Sequence, residues 1–281
     1  MRLVVTGAGG GLGRAFLAQV PAHHDVQAFA HDALDVGDHD AVMRTIPLLE
    51  PDAVVHLAAF TSVDGCELDP ARAARDNALG TQHVALAARA CGAMLLHVST
   101  DYVFDGTKGA PYDELDDPAP LSVYGRSKLA AERFVRDLVP EHVIVRTGYV
   151  FGAGDDYVST AIDALRRGET IGGIRDQIGS PTFVQDLAAR ILPLLLIRRY
   201  GTYHVAGPEP ASWFEVLSLA RSVGALAGAV EPQEAAALAR PAPRPADSSL
   251  ASVYLAELGI EPLPALDDAV ARSLARGSSA A

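Results

Sequence analysis

The sequence is poor in the residue types that mark several large classes of protein. Its 281 residues include only two cysteines, Cys66 and Cys91, and no uninterrupted run of 18 apolar residues. Two thiols can form one disulfide at most, and they lack metal-ligand spacing to the nine histidines, so no structural metal is predicted. The missing apolar run and a strand-like N-terminus favour a cytoplasmic protein over a membrane or secreted one.

Positive charge is also scarce, because 35 acidic residues outnumber 23 basic ones and give a formal net charge of −12. No block of the chain is rich in lysine or arginine, so nucleic acid is not expected as a partner. An anionic nucleotide is still allowed, since loop amides and a few local arginines can bind it. With 49% hydrophobic residues, the composition is typical of a globular enzyme.

Three regularly spaced glycines follow the first predicted strand. Residues 2–5 form a short apolar run, and Gly7, Gly10 and Gly13 precede a helix predicted over residues 14–20. Glycines permit a tight turn and let backbone N–H groups approach a pyrophosphate, while the following helix favours its negative charge. The spacing and its strand–turn–helix context therefore predict a dinucleotide-binding turn rather than a merely flexible loop.

Predicted strands and helices alternate along the first two-thirds of the chain. The strands are predicted at residues 26–30, 53–59, 93–99 and 143–146, and the helices at residues 38–49, 70–91 and 122–138. This order predicts an α/β fold with a doubly wound, Rossmann-like parallel sheet. Ligands of such sheets bind at the carboxyl ends of the strands, where small residues at Ala58 and Ala59 would leave room for a flat cofactor.

A phenol and an ammonium, those of Tyr124 and Lys128, lie four residues apart in the helix predicted over residues 122–138. At this spacing both side chains lie on one face of a helix. A nearby ammonium favours the phenolate, which brings the pKa of a tyrosine closer to the range where a general acid is useful. Thr100, at the end of the preceding strand, can hold a substrate carbonyl against Tyr124. On spacing alone, a solvated surface pair is the competing interpretation.

In this order, the motifs resemble the extended short-chain dehydrogenase/reductase family, and the resemblance runs over nearly the whole chain. It narrows to the dTDP-4-dehydrorhamnose reductase branch at residues 61–64, 97–106, 145–147, 176–182 and 244–250. It implies an NAD(P)H-dependent reductase of dTDP-4-dehydrorhamnose or a related dTDP-4-keto-6-deoxy sugar. It also implies a dinucleotide-binding domain over residues 1–150 and a small C-terminal substrate-binding domain over residues 151–281, with some segments returning to the first.

The resemblance also assigns roles to individual residues. Thr100 would orient the keto oxygen, Tyr124 would protonate it, and Lys128 would contact the nicotinamide ribose and lower the tyrosine pKa. The residues expected to bind NADPH or NADH are Gly7, Gly10, Leu12, Gly13, His31, Asp35, Ala58, Ala59, Asn77, Tyr124 and Lys128. The residues expected to bind the nucleotide sugar are Thr61, Val63, Thr100, Asp101, Tyr102, Tyr149 and Arg244.

Two departures from the pattern of this branch leave questions open. Tyr149 stands where the branch usually has a tryptophan as a wall of the sugar pocket, so the sugar and the product stereochemistry stay undecided. His31 and Asp32 stand near the position where many relatives carry an arginine, so the sequence favours neither NADH nor NADPH.

Other functions fit parts of the same pattern. A nucleotide-sugar 4,6-dehydratase shares the fold, but Tyr102 replaces its usual glutamate after Thr-Asp. A nucleotide-sugar 4-epimerase uses the same hydride chemistry with a tightly held NAD. A non-catalytic subunit resembling the methionine adenosyltransferase beta subunit would bind a dinucleotide and a partner chain, although the complete set of Thr100, Tyr124 and Lys128 argues against it. A homodimer is also possible.

Overall fold

Twelve strands form within residues 1–277, the part of the chain that the computed structural model describes. They are β1 (Arg2–Thr6), β2 (Asp25–Phe29), β3 (Ala53–His56), β4 (Met94–Val98), β5 (His142–Arg146), β6 (Val150–Phe151), β7 (Thr170–Ile174), β8 (Ile178–Gly179), β9 (Thr182–Phe183), β10 (Gly201–His204), β11 (Ala211–Ser212) and β12 (Ala229–Gln233). Six of them form a sheet in the order β10-β5-β4-β3-β1-β2, with every pairing parallel. The predicted doubly wound, Rossmann-like sheet is therefore confirmed.

Ten α-helices cover and extend this sheet within the described residues. They are α1 (Gly11–Leu17), α2 (His39–Thr45), α3 (Val63–Leu68), α4 (Pro70–Ala73), α5 (Gly80–Cys91), α6 (Val123–Leu138), α7 (Tyr157–Arg166), α8 (Val184–Ile197), α9 (Trp213–Val223) and α10 (Leu266–Gly277). None of these helices is long and apolar enough to cross a membrane. The order in which successive strands are added to the sheet reverses at β1, since β2 lies on one side of it and β3 on the other. Such a reversal opens a crevice at the carboxyl ends of the strands.

The two faces of the sheet carry separate apolar clusters. Because successive residues of a strand point to opposite faces, Leu3 and Val5 lie in one cluster and Val4 lies in the other. Helices α1 and α8 cover the first cluster, and α2, α5 and α6 cover the second. Each fully buried aliphatic side chain in these layers contributes roughly 1.5–3 kcal/mol.

Elements after residue 150 divide between the main sheet and a third apolar cluster. Strand β10 pairs with β5, and α8 packs against α1, so both belong to the main layer. Helices α7, α9 and α10 instead surround a third cluster that includes Phe151, Phe183 and Val216. A boundary at residue 150 stays a prediction, but this cluster places a separate apolar body beside the carboxyl ends of the sheet.

The helix predicted over residues 70–91 is not one regular α-helix. It consists of α4, a π-helix over Ala74–Leu79, and α5. A π-turn holds one more residue than an α-turn, so it changes the direction of the side chains that it carries. Asn77 lies in this turn and is fully buried.

A Gly7→Ala substitution tests how tightly the first turn is packed, with Gly109→Ala as its matched control. Both glycines have positive φ, 74° and 71°, so alanine costs about 1–2 kcal/mol at either position. A Cβ at Gly7 would lie 2.5 Å from Ala58 N, whereas one at Gly109 would meet nothing within 4 Å. We expect Gly7→Ala to lower the free energy of unfolding in urea by at least about 1 kcal/mol more than Gly109→Ala. Equal losses would contradict the close approach.

Candidate active site

The turn after β1 brings backbone against backbone, which leaves no room for side chains. Besides the collision at Gly7, a Cβ at Gly13 would strike the Gly7 carbonyl oxygen. Gly10 N donates to Gly7 O at 3.1 Å and closes the turn before α1 begins. Leu12, one of the predicted cofactor residues, packs its side chain against the first apolar cluster, the one covered by α1 and α8. A bare backbone surface of this kind suits the close approach of a pyrophosphate.

A cavity of about 210 Å³ lies beside this turn, at the ends of β2 and β3. Six of the predicted cofactor residues line it, namely Gly7, Gly10, His31, Asp35, Ala58 and Ala59. Leu34 and Val36 add apolar wall, as a purine ring requires. The Arg75 guanidinium donates to the Asp35 carboxylate, so this acidic wall is charge-compensated.

Asn77 joins the wall of this cavity to α6. Its Oδ1 accepts from Phe60 N at 2.7 Å, and its Nδ2 donates to Phe60 O at 3.1 Å. The same Nδ2 donates to Ser127 Oγ at 3.0 Å. Asn77 therefore acts from inside the protein, through hydrogen bonds to the loop after β3 and to the helix that carries Tyr124 and Lys128.

Helix α6 buries both members of the Tyr/Lys pair. The Ser122 side chain caps its first turn by accepting from Gly125 N at 3.1 Å. Tyr124 is 9% exposed and Lys128 is 2% exposed, so the interpretation as a solvated surface pair is wrong. The predicted substrate residues Val63 and Tyr102 pack around Tyr124, and Thr61 lies exposed just before α3.

The expected lowering of the Tyr124 pKa is wrong for this arrangement. Burial raises the pKa of Tyr124 above its usual range, and a hydrogen bond with the Thr100 side chain offsets only part of that effect. Lys128 Nζ instead donates to Val98 O at 2.8 Å and lies 3.2 Å from His97 Nε2. Burial lowers the pKa of Lys128 to about 7. Helical spacing fixes where the two side chains start, but not where the long lysine side chain ends.

Asp101 is a buried carboxyl group at the end of β4. It accepts from Thr100 Oγ1 at 2.9 Å and from Ser248 Oγ at 2.5 Å, which links the sheet to the loop over residues 244–250. Gly148 packs against it so closely that a Cβ there would lie 2.5 Å from Asp101 Cγ. Burial raises the pKa of Asp101 to about 6, although these hydrogen bonds oppose the shift.

Tyr149 adopts a left-handed backbone conformation with φ of 48° and stacks on Trp213. The ring centroids are 4.4 Å apart and the planes differ by 11°. Gly179 lies against the edge of the Tyr149 ring, and a Cβ there would lie within 2.5 Å of the ring atoms. A strained non-glycine backbone is common at functional sites. Trp213 also packs against the third apolar cluster, so it links Tyr149, a predicted substrate residue, to that cluster.

Residues 240–245 form a proline-rich loop that carries two arginines, Arg240 and Arg244, and both lie near Tyr102. Arg244 donates to both carboxylate oxygens of Asp64, at 3.0 and 2.8 Å, so its charge is paired. Arg240 donates to Gln177 Oε1 at 3.0 Å, and within residues 1–277 it forms no ion pair with a carboxylate. Burial and the charge of Arg244 lower the pKa of Arg240. Sequence reasoning missed Arg240, although the repeated Arg-Pro dipeptide at 240–241 and 244–245 was a usable signal.

A glycine-rich turn beside a cavity at the ends of β2 and β3, together with a buried threonine, tyrosine and lysine, is typical of an oxidoreductase of the short-chain dehydrogenase/reductase type. Across the described part of the chain, no group of three or more His, Cys, Asp or Glu side chains is placed to hold a metal ion. The family model described as "RmlD substrate binding domain" matches residues 1–279, and the chain belongs to this family. The resemblance seen in the sequence is thereby confirmed.

Similar proteins are known by sequence and by structure. A dTDP-4-dehydrorhamnose reductase of Mycobacterium tuberculosis is 40% identical, with 98% of this chain and 92% of that protein covered. A probable dTDP-4,6-dihydroxy-2-methyloxan-3-one 4-ketoreductase of Streptomyces antibioticus is 38% identical, with 94% and 91% covered. The crystal structure of dTDP-4-dehydrorhamnose reductase from Bacillus anthracis in complex with NADP is 35% identical, with a TM-score of 0.94 and coverage of 98% and 99%.

An Asp101→Asn substitution tests the ionisation of the buried carboxyl group. A folded-state pKa of about 6, above the usual value near 3.9, means that the folded state binds more protons between about pH 4 and pH 6. The stability contributed by Asp101 therefore falls as the pH rises through this window, and the variant lacks that dependence. We expect the wild-type minus variant free energy of unfolding in urea to decrease by on the order of 2 kcal/mol across it. A difference independent of pH would contradict the raised pKa.

Proposed function

We propose that this chain is an NAD(P)H-dependent reductase of a dTDP-linked 4-keto sugar, such as dTDP-4-dehydrorhamnose. The observation that carries the proposal is the burial of Thr100, Tyr124 and Lys128 together at one edge of the sheet, beside the glycine turn. The relative that holds NADP and the reductases of dTDP sugars support the cofactor and the substrate class.

The residues of the turn and cavity fit a dinucleotide. The backbone at Gly7, Gly10 and Gly13 would face the pyrophosphate, and Ala58 and Ala59 would leave space along the end of β3. His31 and Asp35 line the part of the cavity that would hold the adenosine. When bound, the reduced nicotinamide supplies the hydride.

Thr100 and Tyr124 hold and protonate the keto oxygen in this proposal. The Thr100 side chain acts on the ionisation of Tyr124, so the two hydroxyls are neighbours. A carbonyl oxygen between them would accept from Tyr124, and also from Thr100 once that hydroxyl turns away from Asp101. The Tyr124 phenol is protonated at neutral pH, and burial, which raises its pKa, reserves the proton for a strong base such as the developing alkoxide. Lys128 Nζ, held at Val98 O and His97, would contact the nicotinamide ribose rather than the phenol.

The sugar nucleotide would lie between this edge and the third apolar cluster. Tyr149, held by its stack on Trp213, would present an aromatic edge to the sugar. We assign the diphosphate to Arg240 together with Arg244, because Arg240 pairs with no carboxylate within residues 1–277 and a guanidinium binds phosphate oxygens in pairs. Thr61, Val63, Asp101 and Tyr102 would complete the pocket.

Oxidation of NADPH and NADH with a panel of dTDP-4-keto sugars tests the function. We expect one member at least to be reduced, with stoichiometric loss of the reduced cofactor. Tyr124→Phe should lower kcat by about 100-fold or more while cofactor binding persists. Tyr203→Phe removes a buried phenol of the edge strand β10 and is the matched control, expected to retain wild-type kcat.

Each competing function gives a different result in this panel. Tightly bound NAD after purification, with interconversion of sugars and no net oxidation, would indicate an epimerase. A stoichiometric synthetase recovered with the protein, without turnover, would indicate a regulatory subunit. No oxidation by folded protein with any member would contradict the reductase. A homodimer, a cytoplasmic location and the lack of a nucleic-acid partner stay predictions.

Arg240→Gln tests the assignment of the diphosphate. Loss of an unpaired guanidinium should raise KM for the dTDP sugar about tenfold or more, with little change in kcat, because the contact is equal in ground and transition states. Arg175→Gln is the matched control, since Arg175 forms an exposed ion pair with Glu234. A KM change no larger than that of the control would remove Arg240 from the site.

A further inference from the structure

Two buried histidines lie against each other at the ends of β3 and β4, on the same side as Lys128. His56 and His97 are register partners in these parallel strands. Their rings stack with centroids 5.2 Å apart and planes 26° apart, and neither side chain is exposed. Lys128 Nζ lies 3.2 Å from His97 Nε2, so the two histidines differ in their relation to the lysine.

The hydrogen bonds of the two rings also differ. His56 is bonded through both nitrogens, with Thr6 Oγ1 at 2.7 Å and Thr81 Oγ1 at 3.0 Å. Among the described residues, His97 Nδ1 has no hydrogen-bond partner, and the polar contact of the ring is the one between Nε2 and Lys128 Nζ. A neutral imidazole has one donor and one acceptor nitrogen, and an ammonium group only donates. Nε2 is therefore the acceptor towards a charged Lys128, and the proton of the ring is on Nδ1.

We propose that His97 is a positioning residue, whose neutral ring accepts a hydrogen bond from Lys128 and holds the ammonium at the end of β4. Val98 O, 2.8 Å from Nζ, is the second acceptor. An ammonium has three donors, so one remains for the ribose hydroxyls of the cofactor. The inference rests on the proposed role of Lys128, and it adds a residue that would decide how that lysine is charged and aimed.

The surroundings of Lys128 make this acceptor important. Burial lowers the pKa of Lys128 to about 7, and Glu132, one turn further along α6, offsets part of that effect. The Glu132 carboxylate is bound bidentately by Arg146, at 2.9 and 2.8 Å, so most of its charge is already compensated. Tyr124 occupies the preceding turn, and His56 contributes a second neutral ring from β3, since burial also lowers the pKa of His56. Removing the acceptor at His97 should therefore lower the pKa of Lys128 further.

The test is the pH dependence of NADH binding, followed by cofactor fluorescence on the full chain. NADH is used because it avoids the ionisation of a 2′-phosphate, and all variants share the same residues around the adenosine. We expect wild-type affinity to fall as the pH rises through the Lys128 pKa. In His97→Leu the fall should occur at a pH lower by about one unit or more. His97→Gln, which retains an acceptor near the Nε2 position, should restore the wild-type profile.

His56→Gln is the matched control, because it alters an equally buried ring that does not bind Lys128. It should leave the profile in place even where it lowers stability. An unchanged profile in His97→Leu, or an equal shift in His56→Gln, would overturn the proposal. Failure of the Lys128 role is distinguishable, since Lys128→Met would then leave the pH dependence of NADH binding intact. The sugar substrate does not enter the measurement, so a wrong substrate class leaves its result interpretable.

Discussion

Burial of ionisable side chains at the carboxyl edge of the sheet is the constraint on which the site depends. A phenol and an amine removed from water both favour their neutral forms, which raises the pKa of Tyr124 and lowers that of Lys128. The phenol therefore gives up its proton only to a strong base such as a developing alkoxide, and the amine titrates near neutral pH. One turn further along α6, Glu132 forms a buried ion pair with Arg146. Breaking such a pair is strongly destabilising, so it fixes this part of the helix against β5.

Hydrogen bonds and an ion pair connect the carboxyl edge of the sheet to the neighbouring loops and to α6. Asn77, turned inward by the π-helix, joins the loop after β3 to Ser127 on α6, so the cofactor wall and the catalytic helix form one unit. On the other side, Asp101 accepts from Ser248, and Arg244 pairs with Asp64. The cofactor cavity, the catalytic helix and the loop over residues 244–250 are therefore held together by polar contacts, and those of Asn77 with Ser127 and of Asp101 with Ser248 join buried side chains.

The fold could be predicted because it depends on local patterns. Alternation of apolar strands and helices, and glycines where only glycine fits, gave the parallel sheet and its first turn. The partners of long side chains could not be predicted, because they depend on packing between distant segments. Lys128 ends at His97 rather than at Tyr124, and Arg240 approaches the site from a loop over a hundred residues away. Trp213 packs on the third apolar cluster and in addition supports Tyr149. Periodicity also does not distinguish the π-turn at Asn77 from an α-turn.

The most direct test of the account is a crystal structure of the protein with NADP and the dTDP sugar that it reduces. The account predicts that Thr100 Oγ1 and Tyr124 Oη both lie within about 3 Å of the oxygen on C4 of the sugar. It also predicts that Lys128 Nζ contacts the nicotinamide ribose. A sugar bound with its C4 oxygen away from Tyr124, or a nicotinamide on the opposite side of the sheet from Lys128, would contradict it.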